Sequence, residues 1–345
     1  MLRRILLLAA LSGFVGVSLA SASPPGYAWQ DTATGSAARL RGLSAVSATT
    51  AWASGSLGTV LRTTDRGATW EEVGPPGTAD LQFRDIEAFD ADHAVILSIG
   101  PGTDSRTYVT ADGGQTWTLT FVNQEPTAFY DCMTFFDERR GLALSDPPDG
   151  MHFRVLATDD GGHSWHVAGT QMPEALPGEF AFAASGQCIT SDHGHRAWFA
   201  TGGAPEARVF RSDDRGASWT VASTPIASGP SSGIFALAFR GQQHGLAVGG
   251  DFLLPTASPD NFARSADGGG SWNLLPAAPA EYRSGVTWVD GHTAIAVGPS
   301  GSDVSTDAGT TWQRFDDGSL DTVDCARPTA CWASGADGRV AYLAR

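Results

Sequence analysis

The sequence predicts an all-β fold, a seven-bladed β-propeller with its ring closed by the amino-terminal strand. Three observations point there. The 345 residues include 42 Gly and 19 Pro, a composition rich in turns. A pattern of [S/T]-x-D-x-G-x-x-W occurs six times. A short apolar strand that ends in small residues precedes every copy and occurs once more near the carboxyl end.

The six boxes are Thr63-Asp65-Gly67-Trp70, Thr110-Asp112-Gly114-Trp117, Thr158-Asp160-Gly162-Trp165, Ser212-Asp214-Gly216-Trp219, Ser265-Asp267-Gly269-Trp272 and Ser305-Asp307-Gly309-Trp312. Their tryptophans are about 48 residues apart, the length of a four-stranded propeller blade. The residue types suit a hairpin turn. Asp accepts from backbone N–H groups of its own turn, Gly takes positive φ, and Ser or Thr bonds locally. Trp starts the returning strand and brings a large apolar face.

The upstream strands include Ala51–Gly55, Gly245–Gly249 and Ala294–Gly298, with Cys331–Gly335 as the seventh. After that seventh copy comes Arg339–Leu343, and no box follows. Residues 27–31, with Trp29 where a box tryptophan would stand, are expected to supply the missing outer strand and cover an exposed sheet edge.

Residues 1–22 have the order of a secretory signal peptide: Arg3 and Arg4, an apolar run from Ile5 to Ala20, and Ala20-Ser21-Ala22 before Pro24. The expected domain is residues 23–345, exported to the periplasm or secreted, monomeric, and without a transmembrane segment once the leader is removed. Export permits disulfides. Cys325 and Cys331 flank a short turn and are expected to pair. Cys132 and Cys188 fall on inner strands of adjacent blades, either bridged or simply buried.

Charge and composition exclude several functions. All 22 basic residues are Arg, so lysine chemistry is absent, from Schiff bases to P-loops. A net charge of −15 argues against a nucleic-acid surface. Gly229-Pro230-Ser231-Ser232-Gly233 matches a nucleophile motif but lacks its strand–turn–helix setting. Asp192-His193-Gly194-His195 reads as a turn rather than a metal site. No cofactor and no metal are expected.

The boxes resemble the BNR/Asp-box repeat of sialidases and related propellers. The whole unit is most similar to the photosystem II stability/assembly factor-like propellers, over about residues 27–345. That resemblance implies an exported, non-catalytic scaffold that binds a protein or envelope partner. Its site is expected at the channel mouth, on the face away from the boxes, where loops in blades two to five are long. The candidate polar groups are Asp131, Asp146, Arg154, Glu179, Asp251, Tyr282 and Arg283. The rival expectation is a glycan-acting hydrolase with Asp131, Asp146 and Glu179 as its catalytic candidates, because glycoside hydrolysis needs two carboxylates.

Overall fold

The computed structural model describes residues 26–326 and 328–344. The expected leader, residues 1–22, lies outside the described residues. Among the described residues no helix is long and apolar enough to cross a membrane.

Seven four-stranded antiparallel sheets make seven blades. Blade one shows the plan. Its strands run Leu40–Ala45, Ala51–Gly55, Val60–Thr63 and Glu71–Glu72, from the inner edge to the rim. The inner strands of blades two to seven are Gln82–Ala88, Tyr130–Phe135, Ile189–Ser191, Ser232–Arg240, Gly285–Trp288 and Thr322–Cys325. Second strands are buried, as in Ala94–Ile99 and Ala294–Gly298, with only the two ends of His244–Asp251 reaching the surface. They read as continuous apolar runs because neighbouring blades cover both faces.

Blade seven takes strands from both ends of the chain. Ala28–Thr32 pairs with Val340–Ala344, with Trp29 opposite Leu343 and Asp31 opposite Ala341.

The repeated turn has one hydrogen-bond scheme in all six copies. In the first, Thr63 Oγ1 donates to Asp65 Oδ1 at 2.9 Å and accepts from Gly67 N–H at 2.9 Å. Asp65 Oδ1 accepts from Thr69 N–H at 2.9 Å, and Oδ2 from the Thr69 hydroxyl at 2.6 Å. Thr116, Ser164, Ser218, Ser271 and Thr311 repeat this second hydroxyl contact. A backbone bond then latches each turn to the first hairpin of its own blade, as from Arg66 N–H to Thr49 O at 2.9 Å. The turn glycines also need their missing side chain. Gly114 has φ +84°, and a Cβ there would meet Val73 Cβ at 2.7 Å, in the preceding blade.

The box tryptophans sit less deeply than their size suggested. Trp219 and Trp272 are buried, while Trp70, Trp117, Trp165 and Trp312 are half-buried. Several span blades: Trp70 packs edge-on against Trp332 at 5.9 Å, and Trp117 against Trp52 at 6.4 Å. Two disulfides, Cys132–Cys188 and Cys325–Cys331, join adjacent blades and one hairpin respectively.

Candidate functional site at the plugged channel mouth

The inner strand of each blade has one edge without a sheet partner, facing the propeller axis. This propeller meets that need with a segment of its own. Residues 181–187, leading into blade four, bond to five other blades, reaching blade three through Asp146. Ala183 O accepts from Arg84 Nη1 of blade two at 2.7 Å. Ser185 Oγ donates to Ser284 O of blade six at 2.6 Å, and Ser185 O accepts from Thr322 Oγ1 of blade seven at 3.1 Å. Gln187 Nε2 donates to Val323 O at 2.8 Å, and its Oε1 accepts from Val286 N–H at 3.0 Å. Gln187 O accepts from Leu237 N–H of blade five at 3.0 Å. A segment reaching blades two, three, five, six and seven lies on the propeller axis and plugs the channel. The run Ala183-Ala184-Ser185-Gly186 is the signal: only small residues allow backbone so close to the inner strands. A Cβ on Gly186 would meet Asp85 Oδ1 at 2.6 Å.

The plug separates two spaces. On the box side a chamber of about 360 Å³ is lined by Asp85, Glu87, Thr134, Thr190 and Asp324. On the insertion side a cavity of about 630 Å³ is lined by Arg84, Phe129, Asp131, Asp146, Glu179, Phe180 and Phe182. Three of the seven predicted polar residues therefore meet there. A larger cavity of about 870 Å³, around Phe136, Asp137 and Arg139 at the box-side turns, holds none of them.

The three carboxyl residues differ sharply. Asp131 occupies a β-bulge, between the pairs Tyr130–Ser145 and Cys132–Leu144. The bulge turns its side chain inward, and Asp131 is 1% exposed. Asp146 sits just after the second strand and accepts from Ala181 N–H of the plug at 2.8 Å. The two carboxyls lie close enough together for each to affect the other. Burial, then the Asp146 charge, holds Asp131 well above the usual carboxylate range. Burial pushes Asp146 up to about 7. Like charges this close oppose each other's ionisation, so Asp131 holds its proton more readily than a free carboxyl does.

Glu179 is enclosed. Its side chain has no exposed area and pairs with Arg208 through both guanidinium arms. Thr201 Oγ1 and Leu176 N–H donate to it as well, at 2.5 and 2.7 Å. It anchors the long 172–180 connection and is not available to a substrate.

The other four predicted residues lie elsewhere. Arg154 pairs with Glu125 on a neighbouring surface. Asp251 Oδ1 caps its own turn by accepting from Leu253 N–H at 2.9 Å. Tyr282 lies under Phe235, with ring centres 4.7 Å apart. Arg283 is fully buried and donates to Asp303 through Nε at 2.7 Å and Nη2 at 2.5 Å. Arg154 and Arg283 share one cause with Glu179: a charged side chain is paired before it can serve a ligand.

Sequence reasoning missed the aromatic side of the mouth. Phe182 stacks on Phe235 at 3.8 Å and meets Phe180 at 4.9 Å. Phe252 caps the group at 6.4 Å from Phe182. The loop tip Phe252-Leu253-Leu254 is 46, 68 and 56% exposed. Among the described residues no group of three or more His, Cys, Asp or Glu is placed to hold a metal.

The fold and site define a plugged seven-bladed propeller with one aromatic, carboxyl-floored mouth. No family model and no curated protein sequence matches the chain. Solved structures do. YCF48 from Cyanidioschyzon merolae superposes with a TM-score of 0.66 at 15% identity, covering 91% of this chain and 98% of that one. YCF48 bound to a D1 peptide gives 0.65 at 15%, covering 91% and 96%. The WD40 β-propeller domain of Doa1 gives 0.63 at 13%, covering 93% and 98%. At these identities the likeness is one of fold.

Proposed function

We propose that this protein is an exported, non-catalytic scaffold that binds a segment of a protein partner across the insertion-side mouth. The observation that carries the reading is the exposed tip Phe252-Leu253-Leu254 beside the Phe180–Phe182–Phe235 cluster. Three consecutive apolar side chains held in water over an aromatic floor are the mark of an interaction surface. The plug supplies rigidity, so the surface is preorganised and little entropy is lost on binding. The similar fold of YCF48, in a structure bound to a D1 peptide, supports a protein ligand. The leader and the resemblance to photosystem II assembly factor-like propellers support export and a scaffold role.

The glycan-hydrolase reading fits this geometry less well. Acid and base must flank a sugar bond, roughly 5 Å or more apart. Asp131 and Asp146 instead lie close together, and Glu179 is sealed by Arg208. The test is affinity capture from the producing organism with wild type and with Leu253→Ser plus Leu254→Ser. The reading expects a captured protein that the double variant loses. Capture unchanged by the double variant contradicts it.

A further inference from the structure

Among the described residues no cation forms an ion pair with the carboxyls at the mouth, although the Arg84 charge reaches Asp131. Asp131 Oδ2 is buried and has no hydrogen-bond donor within the described structure. Only the Asp146 backbone N–H and the Arg84 charge favour its ionised form, against burial and the Asp146 carboxyl. The nearest guanidinium is Arg84, which already gives Nη1 to Ala183 O at 2.7 Å and Nη2 to Gln82 Oε1 at 2.9 Å. Arg154 is engaged by Glu125, and Arg208 by Glu179.

The space over the pair has the complementary shape. Phe129, Phe180 and Phe182 form its walls, and the cavity of about 630 Å³ has ample room for a long side chain. A carboxyl floor under aromatic walls suits a flat cation. A guanidinium forks across two carboxylate oxygens and stacks its face on a ring, where an ammonium offers a single point charge. The net charge of −15 favours a basic guest in the same direction.

We infer that the Asp131/Asp146 pocket receives an arginine side chain from the partner's segment, with the guanidinium bridging the two carboxyls beside the Phe129, Phe180 and Phe182 walls. The inference rests on the protein-partner reading above. On docking, the guanidinium takes the place of the proton held at Asp131, which passes to water.

The full chain is titrated with acetyl-arginine amide and with its neutral isostere, acetyl-citrulline amide, by ligand-detected NMR. The arginine probe is expected to bind at least tenfold more tightly than the citrulline probe. Asp131→Asn with Asp146→Asn is expected to abolish that preference while the melting curve stays cooperative. If the double variant fails to fold, Asp146→Asn alone carries the comparison, since its amide oxygen still accepts from Ala181 N–H. Equal binding of the two probes, or an arginine preference that survives the substitutions, overturns the pocket assignment. The scaffold reading fails separately. A partner captured through Leu253 but indifferent to Asp146→Asn keeps the scaffold and rejects the arginine pocket. Probe binding without any partner does the reverse.

Discussion

Trp29 Nε1 donates to Ser302 Oγ at 3.0 Å, joining the amino-terminal strand to blade six across 273 positions of sequence. The same strand reaches blade one, where Trp70 Nε1 donates to Thr32 Oγ1 at 3.0 Å. Arg339 Nε adds a bond to Asp31 Oδ1 at 2.9 Å. One short strand therefore ties three consecutive blades and covers the edge of Val340–Ala344.

Truncating this strand should cost stability. Trp29→Ala removes a buried indole and its hydrogen bond, a loss of about 3–5 kcal/mol by analogy with core aromatic deletions. Removal of residues 26–34 should cost more and broaden the transition. Chemical denaturation followed by tryptophan fluorescence measures both, and an unchanged midpoint would show that the ring holds without the strand.

The buried Glu179–Arg208 pair should behave as an anchor rather than a catalytic group. Arg208→Ala leaves a carboxylate without its partner in an enclosed site, which costs about 3–5 kcal/mol. The loss should fall on the 172–180 connection first, giving early proteolysis between Gln171 and Glu179. A protected connection in the variant would count against the anchor.

Reduction should separate the disulfides. Cys132–Cys188 encloses a 56-residue separation and ends the plug, whereas Cys325–Cys331 encloses 6. Chain-entropy arguments give the longer loop about 4 kcal/mol, and the shorter one less. Paired Cys→Ser variants, compared by thermal melting, should rank in that order.

Stability should be highest in mildly acidic solution. Burial raises Asp85 to about 8 and Asp146 to about 7, with the unfolded value near 4. A raised folded pKa favours folding while the group keeps its proton, so this contribution fades as pH climbs from about 4 to about 8. The box carboxylates act oppositely. The Ser271 hydroxyl and backbone hold Asp267 down at about 2, and Thr69 and Thr116 do the same in direction for Asp65 and Asp112. Their contribution is present above about 4 and is lost as pH falls toward 2. Asp85→Asn, which keeps an acceptor for Met133 N–H, should flatten the decline between pH 5 and 8. Its neighbours Glu87 and Asp324, both raised by burial, should leave a residual slope.

The repeat was legible because it is local. Asp, Gly and Trp recur at fixed spacing, and a turn needs only its own residues. The serine or threonine before each tryptophan was equally visible, yet its role appears only when its hydroxyl meets Asp Oδ2. The mouth was only partly legible. Asp131 and Asp146 lie 15 positions apart, one on the inner strand and one just past the second, and strand pairing brings them together. Arg283, Tyr282 and Glu179 stand in equally suggestive places, but partners remote in sequence claim them. The plug was hidden for the same reason: its contacts run 35 to 137 positions along the chain. Small residues alone do not say which neighbour they approach.

The most direct test is site-specific photo-cross-linking in the producing organism, with the reactive group at Leu253 on the insertion side and at Arg66 on the box side. The scaffold account predicts a discrete protein adduct from position 253 and none from position 66. No adduct from 253, or the same adducts from both faces, would contradict it.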